Sequence, residues 1–247
     1  MTGTRAVLFD VAGTLVDEPE MDLAARLAAA LGRGPEVAAS LRQVVLQNVF
    51  TPAALAERLR GDLGLADEPT AVVREIWESV RSDLVEVPFA ETCLAAIGST
   101  GAKVGVLANA SSAGAEGFRI ACPDLVSWIQ TWTLSCEQGS TKPSAAIFSA
   151  ALAALDVAPD KVLMVGDRLE HDVVPALALG MSAIWLRRSE PSSAPVDPQG
   201  APLPVSPGES VPSGAFVARS LSDVRRIALT WLWSDRGRHG LTLPLAI

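Results

Sequence analysis

Apolar residues fall along this chain in two rhythms. Short, nearly unbroken runs occur at Arg5–Phe9, Lys103–Leu107, Lys161–Val165 and Ser182–Leu186. Runs of that length without polar alternation predict strands buried on both faces. Between them, Ala145–Leu155 and Asp172–Leu179 carry helical patterns. Strands alternating with helices predict an α/β fold with a parallel sheet covered on both faces.

The stretch 18–87 departs from that alternation. Met21–Leu31, Pro35–Val49, Pro52–Leu63 and Thr70–Leu84 all have helical patterns, for example Leu55, Leu59 and Leu63 on one stripe, and no convincing strand interrupts them. Thr51-Pro52 is a helix-start signal, a capping hydroxyl followed by proline at the first helical position. The division expected is a core of residues 1–17 and 88–247 with an all-helical cap of residues 18–87. Residues 189–215 are dense in proline, serine and glycine and read as a mobile loop. Phe216–Ala218 then reads as a short strand and Ser222–Trp233 as a closing helix. Trp231 and Trp233 leave a homodimer interface open, with packing onto the chain's own domain the favoured reading.

Composition narrows the function classes. With 49% hydrophobic and 19% charged residues in 247, a sizeable core is expected. A formal charge of −8 and the lack of any basic run argue against nucleic acid or an anionic membrane as partner. No segment reaches the ~18 consecutive apolar residues of a membrane span. The start MTGTRAVLFD has no signal-peptide pattern, so the cytoplasm is the expected location. Cys93, Cys122 and Cys136 lack metal-ligand spacing and read as reduced packing residues.

Four polar residues sit at or near predicted strand ends, where ligands of parallel sheets bind. Asp10 follows the first strand, Asn109 follows VGVLA, Asp167 follows VLMVG, and Lys142 precedes a helix in TKPSAAIF. Singly, each has a plain structural reading: Asp10 and Asp172 as caps, Lys142 as a solvated charge. Together they point to a site. His171, between Glu170 and Asp172, reads as a surface residue, and Glu137 as loop polarity.

The segments LFDVAGTLVD, TKPSAAIFSAALAAL and VLMVGDRLEHDVVPALALGM resemble, in order and spacing, the nucleophile, lysine and acidic metal motifs of the haloacid dehalogenase-like hydrolases. The resemblance runs from about residue 5 to 188. It implies a Rossmann-like, doubly wound parallel sheet with a cap, and a Mg²⁺-dependent phosphatase acting on a small phosphorylated metabolite. Asp10 would be the nucleophile that carries an aspartyl-phosphate. Lys142 would hold the phosphoryl group, with Asn109 and Thr14 also binding substrate. Asp10, Asp167 and the backbone carbonyl of Ala12 would bind Mg²⁺, with Asp172 beside them.

Two positions depart from the family pattern. Ala12 stands where phosphatases carry a second aspartate that protonates the leaving oxygen and activates water. Ala108 stands where a serine or threonine donates to the phosphoryl group. These departures keep two alternatives open: an impaired relative that binds a metabolite or a protein, and an enzyme repurposed to a non-phosphate substrate. Phosphonoacetaldehyde hydrolysis, which needs a cap lysine, is disfavoured because the lysines are Lys103, Lys142 and Lys161, none in the helical block. Dehalogenation is disfavoured by the acids at 167 and 172, which suit a metal.

Overall fold

The structure is a computed structural model that describes residues 4–17, 22–188, 212 and 214–234. Most of the expected loop 189–215 lies outside the described residues. The chain begins with β1 (Ala6–Phe9) and β2 (Val16–Asp17), then runs through four helices: α1 (Leu23–Ala30), α2 (Pro35–Gln47), α3 (Pro52–Leu63) and α4 (Thr70–Ser82). It returns through β3 (Val85–Glu86), α5 (Ala90–Gly98), β4 (Lys103–Ala108), α6 (Ser112–Ala121), α7 (Pro123–Trp128) and β5 (Thr131–Leu134). The last part holds α8 (Ser135–Gln138), α9 (Ala145–Leu155), β6 (Val162–Gly166), α10 (Val174–Ala178), β7 (Ser182–Leu186), β8 (Ala215–Ala218) and α11 (Leu221–Trp233).

Six strands form one parallel sheet in the order β5-β4-β1-β6-β7-β8. Period-two alternation divides its side chains between two cores. Val7, Phe9, Val104, Val106 and Ile184 pack with Leu94 and Ile97 of α5, Phe118 of α6 and Val224 and Ala228 of α11. Leu8, Leu107, Met164 and Ala183 pack on the other side with Ile147, Phe148, Ala151 and Leu155 of α9. From β1 the order extends through β4 to β5 on one side, and from β6 through β7 to β8 on the other. The crevice between the carboxyl ends of β1 and β6 is therefore the topological switch point.

The helices α1–α4 have an apolar core of their own, built on Leu27, Leu41, Leu55, Leu59, Val73 and Trp77. Their ends follow the sequence signals. Thr51 Oγ1 accepts from Ala54 N at 3.2 Å, Asp22 Oδ1 accepts from Ala25 N at 2.9 Å, and α3 stops at Gly64, whose φ is 60°. The expectation of no strand in 18–87 needs one correction. Val85–Glu86 pairs antiparallel with Val16–Asp17, so the chain leaves and re-enters the core through a two-stranded stem. Two residues per strand are too short to leave a periodic signal.

Trp231 packs back onto its own domain: its Nε1 donates to Ser182 Oγ at 3.0 Å, and Arg5 stacks on its ring. The three cysteines are buried and unpaired, and burial pushes the Cys93 thiol up to about 12. No helix among the described residues is long and apolar enough to cross a membrane.

Candidate active site

The ladder that pairs β1 with β6 continues one residue past the strand, because Asp10 N donates to Val165 O at 2.8 Å. This fixes Asp10 at the switch-point crevice with its side chain buried. The following loop turns at Gly13, with φ at 79°. A Cβ at Gly13 would lie 2.3 Å from Asp167 Oδ2, so only glycine allows the loop to close over that carboxylate. Thr14, fully buried in the same turn, donates from Oγ1 to Asp10 Oδ2 at 3.2 Å.

Lys142 reaches the crevice from the segment before α9. Its Nζ donates to Asp10 Oδ1 at 2.5 Å and to Asp172 Oδ1 at 2.7 Å, in a setting where all three side chains are at most 8% exposed. The backbone of Lys142 is held by Asn109: Lys142 N donates to Asn109 Oδ1 at 2.7 Å, and Asn109 Nδ2 donates to Lys142 O at 3.1 Å. Asn109 thus sits at the end of β4, as its position after the apolar run implied, with its amide engaged by the lysine segment. Ala108, the last residue of β4, is buried in the apolar core.

Asp172 comes from a wide π-type turn over Leu169–Val173, where the sequence pattern had suggested that a regular helix starts at Asp172. The turn folds its carboxylate back beneath the strand end, and Oδ2 accepts from Arg168 N at 3.0 Å. Gly166 makes room for it: a Cβ there would lie 2.4 Å from Asp172 Cγ. Asp167, directly after β6, completes the set. One carboxylate oxygen each from Asp10, Asp167 and Asp172 lies within 4.8 Å of the others. Asp167 Oδ1 is buried with no hydrogen-bond partner. An orphaned buried carboxylate oxygen beside two further carboxylates, with no histidine or cysteine among the donors, fits a hard divalent cation.

The electrostatics follow from this crowding. Burial raises the pKa of Asp10, and the Asp172 charge adds to the rise against the opposing pull of Lys142. Burial first, then the Asp10 charge, pushes Asp167 up to about 6. For Lys142, burial alone would favour the neutral amine, but Asp10 and Asp172 outweigh it and hold the ammonium.

A cavity of about 230 Å³ opens above this floor, between the sheet rim and the helices of residues 18–87. Asp10, Ala12, Asn109 and Lys142 line its base, and Leu23, Val45, Leu46 and Val80 give it an apolar cap wall. Its size is below the roughly 300–1,000 Å³ of drug-sized pockets, which suits a small ligand. His171 is a correction: it is partly buried and lines this cavity with Arg168, because the π-type turn carries it inward. Sequence reasoning also missed Asp22 and Arg42, which line the cap wall. A signal for Arg42 was present. It falls with Ala38, Leu41 and Val45 at i, i+3, i+4 and i+7 spacing, a charge inside the buried stripe of α2.

Comparison with known proteins adds the family. A profile described as haloacid dehalogenase-like hydrolase matches residues 4–180. A ribulose-1,5-bisphosphate 5-phosphatase from Halopiger xanaduensis is 28% identical over 212 residues, 76% of this chain and 87% of that protein. Among solved structures, a HAD phosphatase from Thermococcus onnurineus superposes with a TM-score of 0.56 at 22% identity, covering 91% of this chain and 97% of its own. A HAD family enzyme from Bacteroides thetaiotaomicron, in complex with magnesium and inorganic phosphate, has a TM-score of 0.57 at 18% identity, over 77% of this chain and 98% of its own. With three carboxylates and a lysine gathered at the switch point of a parallel sheet, and with the family profile spanning residues 4–180, this chain belongs to the haloacid dehalogenase-like hydrolases.

Proposed function

We propose that the chain is a Mg²⁺-dependent phosphohydrolase that removes a phosphoryl group from a small metabolite through an aspartyl-phosphate on Asp10. The observation that carries this reading is the buried contact of Lys142 with both Asp10 and Asp172, beside the partnerless Asp167 Oδ1. Asp10 and Asp167, with the Ala12 carbonyl, would hold the cation, and Asp172 would set their charge from behind. Bound magnesium would offset the charge between the Asp10 carboxylate and the incoming phosphoryl group.

The residues of the chain divide the work. Thr14 orients Asp10 through Oδ2, and Lys142 stands next to Oδ1, positioned to neutralise a phosphoryl oxygen. An Asp10 oxygen forms the new bond to phosphorus as the bond to the ester oxygen breaks, and water later cleaves the acyl phosphate to inorganic phosphate. The cap wall keeps bulk water from the floor. Ala12 supplies no proton to the leaving oxygen, so activated leaving groups such as acyl phosphates and anomeric sugar phosphates suit the site best. The relatives named above are consistent with a small phosphorylated substrate.

The test is phosphate release from a panel of sugar, acyl and alkyl phosphates with Mg²⁺, by wild type and Asp10→Asn. The variant is expected to lose turnover by roughly 10⁴–10⁶-fold while its circular dichroism stays that of the wild type. Residual turnover near the wild-type rate would remove Asp10 from the chemistry.

A further inference from the structure

Four cationic groups face the cavity or its floor, and they differ in how far their charge is already answered. Lys142 gives two of its three Nζ donors to Asp10 and Asp172 at the floor. His171 is held toward its neutral form, first by burial and then by the charge of Arg168. Arg42 gives its Nε to Asp22 Oδ2, and no described residue takes its two terminal nitrogens. Arg168, exposed at the core rim, has no ion pair with any described residue. Asp22 is itself occupied, one oxygen on the α1 N-terminus and the other on Arg42. The cavity therefore offers hydrogen-bonding guanidinium groups on both the cap and the core side, with apolar residues also in its lining.

We infer that the substrate carries a second anionic group, a carboxylate or a further phosphate, remote from the transferred phosphoryl group and held by Arg42 of the cap and Arg168 of the core. This rests on the reading of Asp10 as the phosphoryl site. A planar guanidinium presents paired donors that match carboxylate and phosphate oxygens. Asp22 fixes the Arg42 side chain in advance, which lowers the ordering entropy lost on binding. Cations on opposite walls also give the cap a reason to close on a doubly anionic molecule and on nothing shorter.

The probes are an acyl phosphate whose chain ends in a carboxylate, its neutral carboxamide counterpart and the counterpart that ends in a phosphate, so that the leaving group needs no proton in any of them. Wild-type kcat/KM is expected to favour one of the anionic tails over the carboxamide by roughly 10- to 100-fold, and the two anionic probes show which anion the site takes. That ratio should fall toward unity in Arg42→Gln and Arg168→Gln, and Arg42→Lys should recover part of it. Arg168 is exposed, so its variant tests the idea even where Arg42→Gln folds poorly. The same ratio is read by calorimetric binding of the three probes to the Asp10→Asn protein with Mg²⁺. Preference in binding without turnover by wild type would defeat the Asp10 reading and leave this one standing. Equal handling of all three probes by wild type, or a preference unchanged in both variants, would overturn it.

Discussion

Two sets of opposite charges face one cavity and are built in opposite ways. On the core floor Lys142 lies between Asp10 and Asp172, with side-chain exposures of 3%, 8% and 1%. On the cap wall Arg42 meets Asp22 with exposures of 43% and 37%. Stripping charges of water costs several kcal/mol per ion, so the buried set persists only because each member has more than one partner. Thr14, the Arg168 amide and Asn109 provide that support. The exposed pair carries no such penalty and contributes little to stability, and because Asp22 takes only Nε, the terminal nitrogens of Arg42 can meet a ligand with the pair intact. On the function proposed above, the floor serves the reaction and the wall recognition.

The sharpest way to break this contrast is Lys142→Met, which leaves two buried carboxylates facing each other without their cation. A loss of roughly 3–5 kcal/mol in unfolding free energy is expected for the metal-free protein, read by denaturant titration, together with loss of turnover. A cost under about 1 kcal/mol would show the floor to be as loosely built as the wall.

Ala12→Asp adds an acid to the floor at a partly buried position that lines the cavity. Hydrolysis of alkyl phosphates should rise by at most ~10²–10⁴-fold, because their leaving oxygen needs a proton, and breakdown of the aspartyl-phosphate should speed up. Steady-state and burst kinetics on an alkyl and an acyl phosphate check this. A gain restricted to the acyl phosphate would contradict the leaving-group argument.

The pH dependence sharpens the contrast without changing a residue on the wall. Asp167 titrates at about 6 in the fold against a normal value of 3.8, so between those pH values the folded state binds more protons than the unfolded one. Stability of the metal-stripped protein therefore carries a component that falls as pH rises through this window and levels off above it. Subtracting the thermal-unfolding profile of Asp167→Asn isolates that component. A difference profile that is flat from about pH 4 to 6 would refute the assignment.

The smallest effect belongs to the wall. Arg42→Gln should cost under about 1 kcal/mol in unfolding free energy, since Asp22 still caps α1 without it. A cost as large as that of Lys142→Met would mean that the cap depends on the pair for folding, and the distinction between floor and wall would fail.

Elements whose signal is local were legible in the chain itself. β1, β4, β6 and β7 stand out because strands buried on both faces must be apolar throughout, and α1–α4 because one stripe of each helix fills the cap core. Thr51-Pro52 marked the start of α3, since capping is settled within one turn. The motif residues Asp10, Lys142, Asp167 and Asp172 were nameable because the resemblance lies in short segments of the sequence. By contrast, β5 is a four-residue edge strand with two partly exposed positions, and β2 with β3 forms only by meeting across residues 18–84. Neither has a pattern of its own.

The amino-acid order thus determined which segments bury and which carboxylates end strands, because burial periodicity and turn chemistry act over a few neighbouring residues. It did not determine that Lys142 answers two carboxylates at once, 132 and 30 residues away, or that Asn109 holds the lysine backbone. It did not bring Arg42 and Arg168 to one cavity from separate regions of the chain, or turn His171 inward. Those pairings exist only when the sheet order places β1 beside β6 and the cap folds over both. Charges interact through space, and only the tertiary structure fixes the distance and the degree of burial on which their strength depends.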